Sequence, residues 1–486
     1  MKMQKLQRCA PEKQDVDSRA IVDFLDKIKE ENHELHSFML LVGGKVVAEC
    51  WWEPYGPTYR HQMFSLSKSF TSTAIGFAVG EGLLSVDTPV ADIFKKEIEE
   101  LGSHTDEKIK KMTVRHLLTM GTGMDYENWG FGPGSDNVKG FLSSHIKHEP
   151  GSVFFYHTLA TYMQSATITK LTGQKLVDYL MPRLFGPLGI DPYWEEDDRG
   201  INFGGFGLNI KTEDIAKFGQ LYLQKGEWNG RRLLSEAWIG EATSKQISNG
   251  DDPKSDWAQG YGYQFWRCRP EGVYRGDGAY GQFCVVMPKQ DAVVAITSNA
   301  DMQRVLDIIW ETLLPALGKK EAPHSEKTAY GELLAAQTGL SHLKINADAP
   351  KFPKIRGEYK NRDKTFSLYL DMDETEGVMA TADKSSGSTP VFRFKHGAWL
   401  EGATHYFRLP YSPFEKIGAF MRNVTYAEWN PGENSLDVTA WFYETPVKNS
   451  AKLAFGKNKA KLTLTLDNGQ VFDLELMKGS DLCLCE

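Results

Sequence analysis

Apolar positions fall at helical spacing between residues 18 and 32, where Ile21, Val22, Phe24, Leu25 and Ile28 share one face. The stretch 38–52 then reads as a β-hairpin whose turn is the pair Gly43-Gly44. After Phe64-Ser65, a run of small and apolar residues (71–79) stops at Gly80 and Gly82, which predicts a buried helix that begins at Ser65 and ends on glycine. Thr113 caps a short helix over 113–120, and the glycine-rich loop 121–134 interleaves Tyr126, Trp129 and Phe131. Helical spacing returns over 162–171 and 175–184, a capped helix covers 212–224, and 273–298 alternates in the manner of a half-buried sheet. Together these elements predict an α+β domain, with helices packed around one mainly antiparallel sheet.

The pattern changes after Pro315. Residues 318–352 are charged, carry one weak helical stretch at 330–338 and end among Pro350 and Pro353, which predicts a linker. Beyond it the period is two, clearest at Leu462, Leu464 and Leu466, and Asp467-Asn468-Gly469 then supplies a tight hairpin turn before 471–476. The expected organisation is a first domain over 17–317, a linker over 318–352 and an all-β domain over 353–486, a small lipocalin-like barrel or sandwich. No internal repeat or low-complexity tract interrupts it.

A chain of 486 residues exceeds the size at which one core usually stops growing, so more than one domain is expected on length alone. The net charge of −8 is dispersed along the chain, with no cationic stripe to displace counterions from a phosphate backbone, so nucleic acid is not an expected partner. Residues 1–20 contain no apolar signal core and no long uncharged apolar run occurs anywhere, so a cytoplasmic protein without a membrane partner is expected. The six cysteines are too few and too scattered for a disulfide framework; Cys483 and Cys485 form a C-x-C that lacks a second pair to complete a metal site. No metal or organic cofactor is expected. The oligomeric state stays open.

Candidate chemistry begins with S-x-x-K, which occurs three times: Ser65 to Lys68, Ser144 to Lys147 and Ser341 to Lys344. Only the first opens a long apolar helix whose burial would strip water from the lysine. Residues three apart share a helix face, so Lys68 projects toward the Ser65 hydroxyl. Burial disfavours its ammonium form, and a helix N-terminus stabilises negative charge developing at the serine oxygen; both favour nucleophilic attack. The plainer alternative is that Ser65 only caps a helix and Lys68 snorkels to water.

With Ser65 and Lys68 in this context, the chain resembles the serine β-lactamase, penicillin-binding protein and carboxylesterase superfamily, in which S-x-x-K carries a nucleophilic serine. The block 150–190, PGSVFFYHTLATYMQSATITKLTGQKLVDYLMPRLFGPLGI, is similar to the family's second block, where Y-x-N or Y-x-S supplies a tyrosine facing the nucleophile. Here it reads Tyr156-His157-Thr158, and threonine lacks the fixed donor and acceptor pair of an amide. The family's third motif, K-T-G or H-x-G, falls on Gly276-Asp277-Gly278, whose first position carries no cation. The blocks TVRHLLTMGTGM (113–124) and GGFGLNIKTEDIAKFGQLYL (204–223) extend the resemblance over about 17–315.

The resemblance implies Ser65, Lys68 and Tyr156 as catalytic residues, with the backbone N–H groups of Ser65 and of Ala279 or Tyr280 forming an oxyanion hole beside glycines that permit close approach. Lys68 and Tyr156 would share the serine proton, and the phenol would return it to the leaving group. Thr158, Gly276, Asp277 and Gly278 would touch substrate, with Tyr126, Trp129 and Tyr280 as pocket walls. Asp277 would repel a substrate carboxylate unless Arg275 compensated, so an uncharged or cationic ester or amide is expected, as in the family's carboxylesterases and 6-aminohexanoate-dimer hydrolases. A β-lactamase or D-amino acid peptidase, and a non-catalytic sensor or scaffold, are the alternatives. Rival motifs fail on context: Gly276, Gly278 and Gly281 satisfy G-x-G-x-x-G but precede a strand-like segment, His33 and His36 lack zincin spacing, and no G-x-S-x-G exists. His157 reads as a packing or surface histidine rather than a catalyst.

Overall fold

A computed structural model describes residues 5–130, 134–318, 327–346, 348–384, 389–405, 420–466 and 471–479. They form two units, one of residues 1–52 and 56–340 and the other of 53–55 and 341–486.

In the first unit the amphipathic helix Ser18–Glu30 is started by Asp17, whose side chain accepts from the N–H of Arg19. The hairpin follows as strands Glu34–Val42 and Lys45–Trp51, with Gly43 and Gly44 at positive φ in the turn. These open a six-stranded antiparallel sheet that continues through Ala292–Asn299, Gln282–Met287, Tyr274–Gly278 and Trp266–Arg267. The hairpin's place beside the C-terminal strands joins distant parts of the chain, with Phe38 opposite Ile296.

Alternation along 273–298 predicts a half-buried sheet, but all six residues of Gln282–Met287 are buried. The reason is that helices cover both faces. Met39, Leu41, Cys284 and Val286 join the core that includes the helix Ser67–Gly80. Phe38, Leu40, Phe283 and Val285 join Ile21, Phe24 and Leu306 on the other side. Helix Lys327–Ala336, inside the stretch read as linker, adds Leu333 to that second core, and Glu332 forms an ion pair with Arg19. The turn at 467–469 and the C-x-C of Cys483 and Cys485 lie outside the described residues.

The second unit is a ten-stranded antiparallel sheet from Ile355–Lys360 to Val471–Lys478. Its edge strands, Val391–Lys395 and Leu400–His405, meet, and the Val391 N–H donates to Thr404 Oγ1 (2.7 Å), so the sheet curls into a nearly closed barrel. Period-two burial fills it: Phe366, Leu368, Leu370 and Met372 point inward while the residues between them are partly exposed.

Candidate active site

The site is built on a strained turn. Phe64 has φ +46°, the left-handed region that aromatic residues rarely adopt, and the turn Phe64–Leu66 that follows is a 3-10 turn. The α-helix runs from Ser67 to Gly80, so Ser65 stands just before it rather than opening it. Ser67 locks the turn: its hydroxyl donates to the Phe64 carbonyl (2.6 Å) and accepts from the Leu208 N–H (3.2 Å). The helix is buried nearly all round, and two of its polar side chains are bonded across to neighbours, Ser69 to the Gln264 carbonyl and Thr71 to the Gly204 carbonyl.

One turn along, the Lys68 amine lies 3.0 Å from Ser65 Oγ and donates to the Gly205 carbonyl at 2.8 Å. Only 1% of Lys68 is exposed, and burial brings its amine down to about 7, against the opposing pull of Glu127 and Asp277. Snorkelling is thereby ruled out. Tyr156 is close enough to the Ser65 side chain to interact with it, and its ring faces Lys68 with the amine 4.9 Å from the ring centre. Burial, with Asp277 adding to it, pushes the phenol well above its ordinary value. Trp266 stacks on Tyr156 (5.4 Å between centroids), and Tyr261 meets it edge-on (6.5 Å). Hydroxyl, amine and phenol thus converge.

The strand Tyr274–Gly278 lies directly behind this turn. A Cβ at Gly278 would stand 2.1 Å from the Met63 carbonyl oxygen, so that position requires glycine for the backbone to approach, whereas one at Gly276 would stand 2.5 Å from Ser69 Oγ and would displace side chains. Ala279 and Tyr280 follow in the turn, where Tyr280 has φ +68° and packs edge-on against Phe64 at 5.2 Å. Gln282 bonds the Ala279 carbonyl (3.0 Å) and Ser298 bonds the Tyr280 carbonyl (2.8 Å), which fixes the turn.

A scan against protein families matches the Beta-lactamase family over residues 36–316. The chain belongs to the Beta-lactamase family. It is 24% identical over 290 residues to the 6-aminohexanoate-dimer hydrolase of Paenarthrobacter ureafaciens, covering 54% of this chain and 72% of that protein. It is 26% identical over 280 residues to penicillin-binding protein 4 of Amycolatopsis lactamdurans, covering 49% and 71%. The hydrolase EstCE1, described as having promiscuous acyltransferase activity, shares the fold at TM-score 0.51 and 14% identity, over 61% of this chain and 99% of its own. The curated relatives of this chain thus include a hydrolase and a penicillin-binding protein.

Within this Beta-lactamase-family site, one expectation about charge changes. Asp277 is not an unpaired charge: Arg275 Nε donates to it at 2.9 Å, both are buried, and the nearby Trp266 side chain also favours its charged form. Arg275 in turn lies against the Trp257 ring (4.4 Å) and donates to the Asp256 carbonyl (2.8 Å). Repulsion of a carboxylate therefore does not come from Asp277 alone. The carboxylate that the sequence reading missed is Glu127, which is exposed, accepts from the Trp129 indole (2.8 Å) and from the Thr158 N–H, and pulls on Lys68. Only its place in the aromatic loop hinted at it.

Trp129 packs against Tyr162, Phe203 and Phe206, forming a wall near Gly205. Thr158 is the first residue of the helix Thr158–Thr172 and packs its methyl group against Gly205. Tyr126 is exposed, and its hydroxyl accepts from the His145 N–H at 2.9 Å; no described contact joins it to Ser65. Phe131 lies outside the described residues. His157 is a packing residue, fully buried beside Phe141 and Phe155, with its imidazole brought down to about 3 by burial. The other two S-x-x-K serines are local structure: Ser144 bonds the Gly140 carbonyl and Ser341 accepts from the Leu343 N–H.

Proposed function

We propose that the protein is a serine acyl hydrolase that forms an acyl-enzyme on Ser65 and releases the acid of a small ester or amide. The observation that carries this reading is that a buried amine, Lys68, and a phenol, Tyr156, both reach the Ser65 hydroxyl. Because Lys68 titrates near 7, a large share of it is neutral at physiological pH and able to accept the serine proton. Tyr156, held above its ordinary range, stays a phenol and passes a proton to the leaving oxygen or nitrogen as the acyl–leaving-group bond breaks. Lys68 then passes the serine proton to Tyr156, which restores the neutral amine and the phenol; water attacks the acyl-serine, giving its hydroxyl to the acid and a proton to Lys68, and that proton returns to Ser65 Oγ as the acyl–serine bond breaks. The Ser65 and Ala279 N–H groups receive the oxyanion, supported by the close approach at Gly278.

The exposed Glu127 carboxylate and the absence of a cation at position 276 favour an uncharged or cationic substrate over one bearing a carboxylate. Similarity to the 6-aminohexanoate-dimer hydrolase supports a linear amide among the candidates. Ser65→Ala should keep its circular dichroism spectrum, lose labelling by a fluorophosphonate and lose ester hydrolysis by at least about a thousandfold. Undiminished hydrolysis by that variant would end the assignment. In a panel of p-nitrophenyl esters, linear amides, D-amino acid peptides and a chromogenic cephalosporin, the esters and amides should be turned over first.

A further inference from the structure

The backbone that carries Tyr156 belongs to neither helix nor strand: residues 154–157 are irregular, and the segment is tied down by the Phe155 N–H, which donates to the Met120 carbonyl (2.9 Å). A tyrosine ring turns about two side-chain torsions, so that anchor alone leaves the phenol oxygen free to swing. What holds the ring is other rings. The Trp266 indole lies 22° from parallel to it with centroids 5.4 Å apart, and Tyr261 stands edge-on to both, 6.5 Å from Tyr156 and 4.7 Å from Trp266. The stack blocks rotation out of the ring plane, and the edge contact blocks sliding within it.

Trp266 is itself fixed from behind. It stands opposite Arg275 in the sheet, which ties it to the strand Tyr274–Gly278 that backs the Ser65 turn. The Arg275 guanidinium lies over the rings of Trp257 (4.4 Å) and Trp266 (5.8 Å), and its partner Asp277 lies beside Trp266. Arg275 Nη2 is buried with no hydrogen-bond partner. A buried ion pair adds little stability over apolar residues of equal volume, so this one is better explained by the indole that it holds in place.

We infer that Trp266 is a positioning residue, which aims the Tyr156 phenol at Ser65 and Lys68. It has this task only if Ser65 is the nucleophile proposed above. The strand Tyr274–Gly278 then sets two parts of the centre together: the close approach behind Ser65 through Gly278, and the direction of the proton carrier through Trp266. Misplacing a reacting group by about 1 Å can slow a reaction by roughly a hundredfold. A phenol that keeps its chemistry and loses its direction lowers kcat and leaves KM little changed.

A double-mutant cycle in the full chain, read by turnover of a p-nitrophenyl ester and by the rate of fluorophosphonate labelling, tests this. Trp266→Leu and Trp266→Met keep an apolar side chain without a flat face, and Trp266→Phe keeps a ring. The first two should lower kcat by about thirtyfold at near-constant KM, and Trp266→Phe should recover most of that loss. On a Tyr156→Phe background, Trp266→Leu should cost less than about twofold more, because a ring without a hydroxyl has no proton to direct. Equal losses on both backgrounds would overturn the inference. So would an unchanged kcat in Trp266→Leu, a loss in Trp266→Phe as large as in Trp266→Leu, or circular dichroism showing that neither the Leu nor the Met variant folds, since the indole is then a core residue. Failure of the serine hydrolase reading looks different: the unaltered chain would neither hydrolyse the ester nor be labelled at Ser65, and this inference would fall with it.

Discussion

Lys68 is costly to bury, and that cost is what makes it useful. Enclosed by the helix and the Gly205 carbonyl, its amine falls to about 7, while the carboxylates of Glu127 and Asp277 act to raise it. The neutral amine is the form that accepts a proton, so kcat/KM for an ester should rise as pH increases through about 7. Replacing Glu127 with Gln keeps an acceptor for the Thr158 N–H but removes a negative charge that favours the ammonium. The acidic limb of the pH–rate profile should therefore move to lower pH in Glu127→Gln; a limb that stayed in place or moved upward would show that Glu127 does not act on Lys68. Asp277 is less suited to this test, because its partner Arg275 would be left buried without its carboxylate.

At the scale of elements, the turn before the helix and the strand Tyr274–Gly278 work as one piece. Strain at Phe64 lifts Ser65 ahead of the helix, and Gly278 lets the strand backbone come close behind it. A methyl group at Gly278 has only backbone to displace, the Met63 carbonyl and the Leu66 N–H, and neither can swing away as a side chain could. Gly278→Ala should therefore lower stability by about 1–3 kcal/mol in urea unfolding. It should lower kcat by roughly a hundredfold or more, the scale of losing one oxyanion donor. A variant of normal kcat would mean that the strand's approach does not shape the reacting centre.

Across the whole molecule, the division into units does not follow the chain in a single cut. Glu53–Tyr55 belong with the barrel: Tyr55 is buried there, edge-on to His342 and Trp441 (6.4 and 6.3 Å), and its hydroxyl donates to the Thr445 carbonyl at 3.2 Å. Truncating this ring leaves a cavity, so Tyr55→Ala should destabilise the second unit by about 3 kcal/mol. The loss would be read as an earlier unfolding transition for barrel tryptophans such as Trp441. An unchanged transition would mean that the short segment contributes nothing to the barrel's stability.

Local order was legible in the sequence wherever a period or a cap is a property of neighbouring residues. The helix at 18–32, the hairpin on Gly43-Gly44 and the inward leucines of the barrel follow from side-chain spacing, which backbone geometry converts directly into a buried face. The order of the motifs, with Ser65, Lys68 and Tyr156 among them, likewise pointed to the Beta-lactamase family. Tertiary structure alone decided which charges meet. Glu127, an ordinary loop residue in the sequence, acts on Lys68, and Asp277 and Arg275 neutralise each other across two positions of one strand. It also decided that the sheet is buried on both faces, because the helices that cover its second face come from residues 18–30 and 302–308, at opposite ends of the first unit. Pairings across such distances depend on packing in three dimensions, and no periodicity along the chain encodes them.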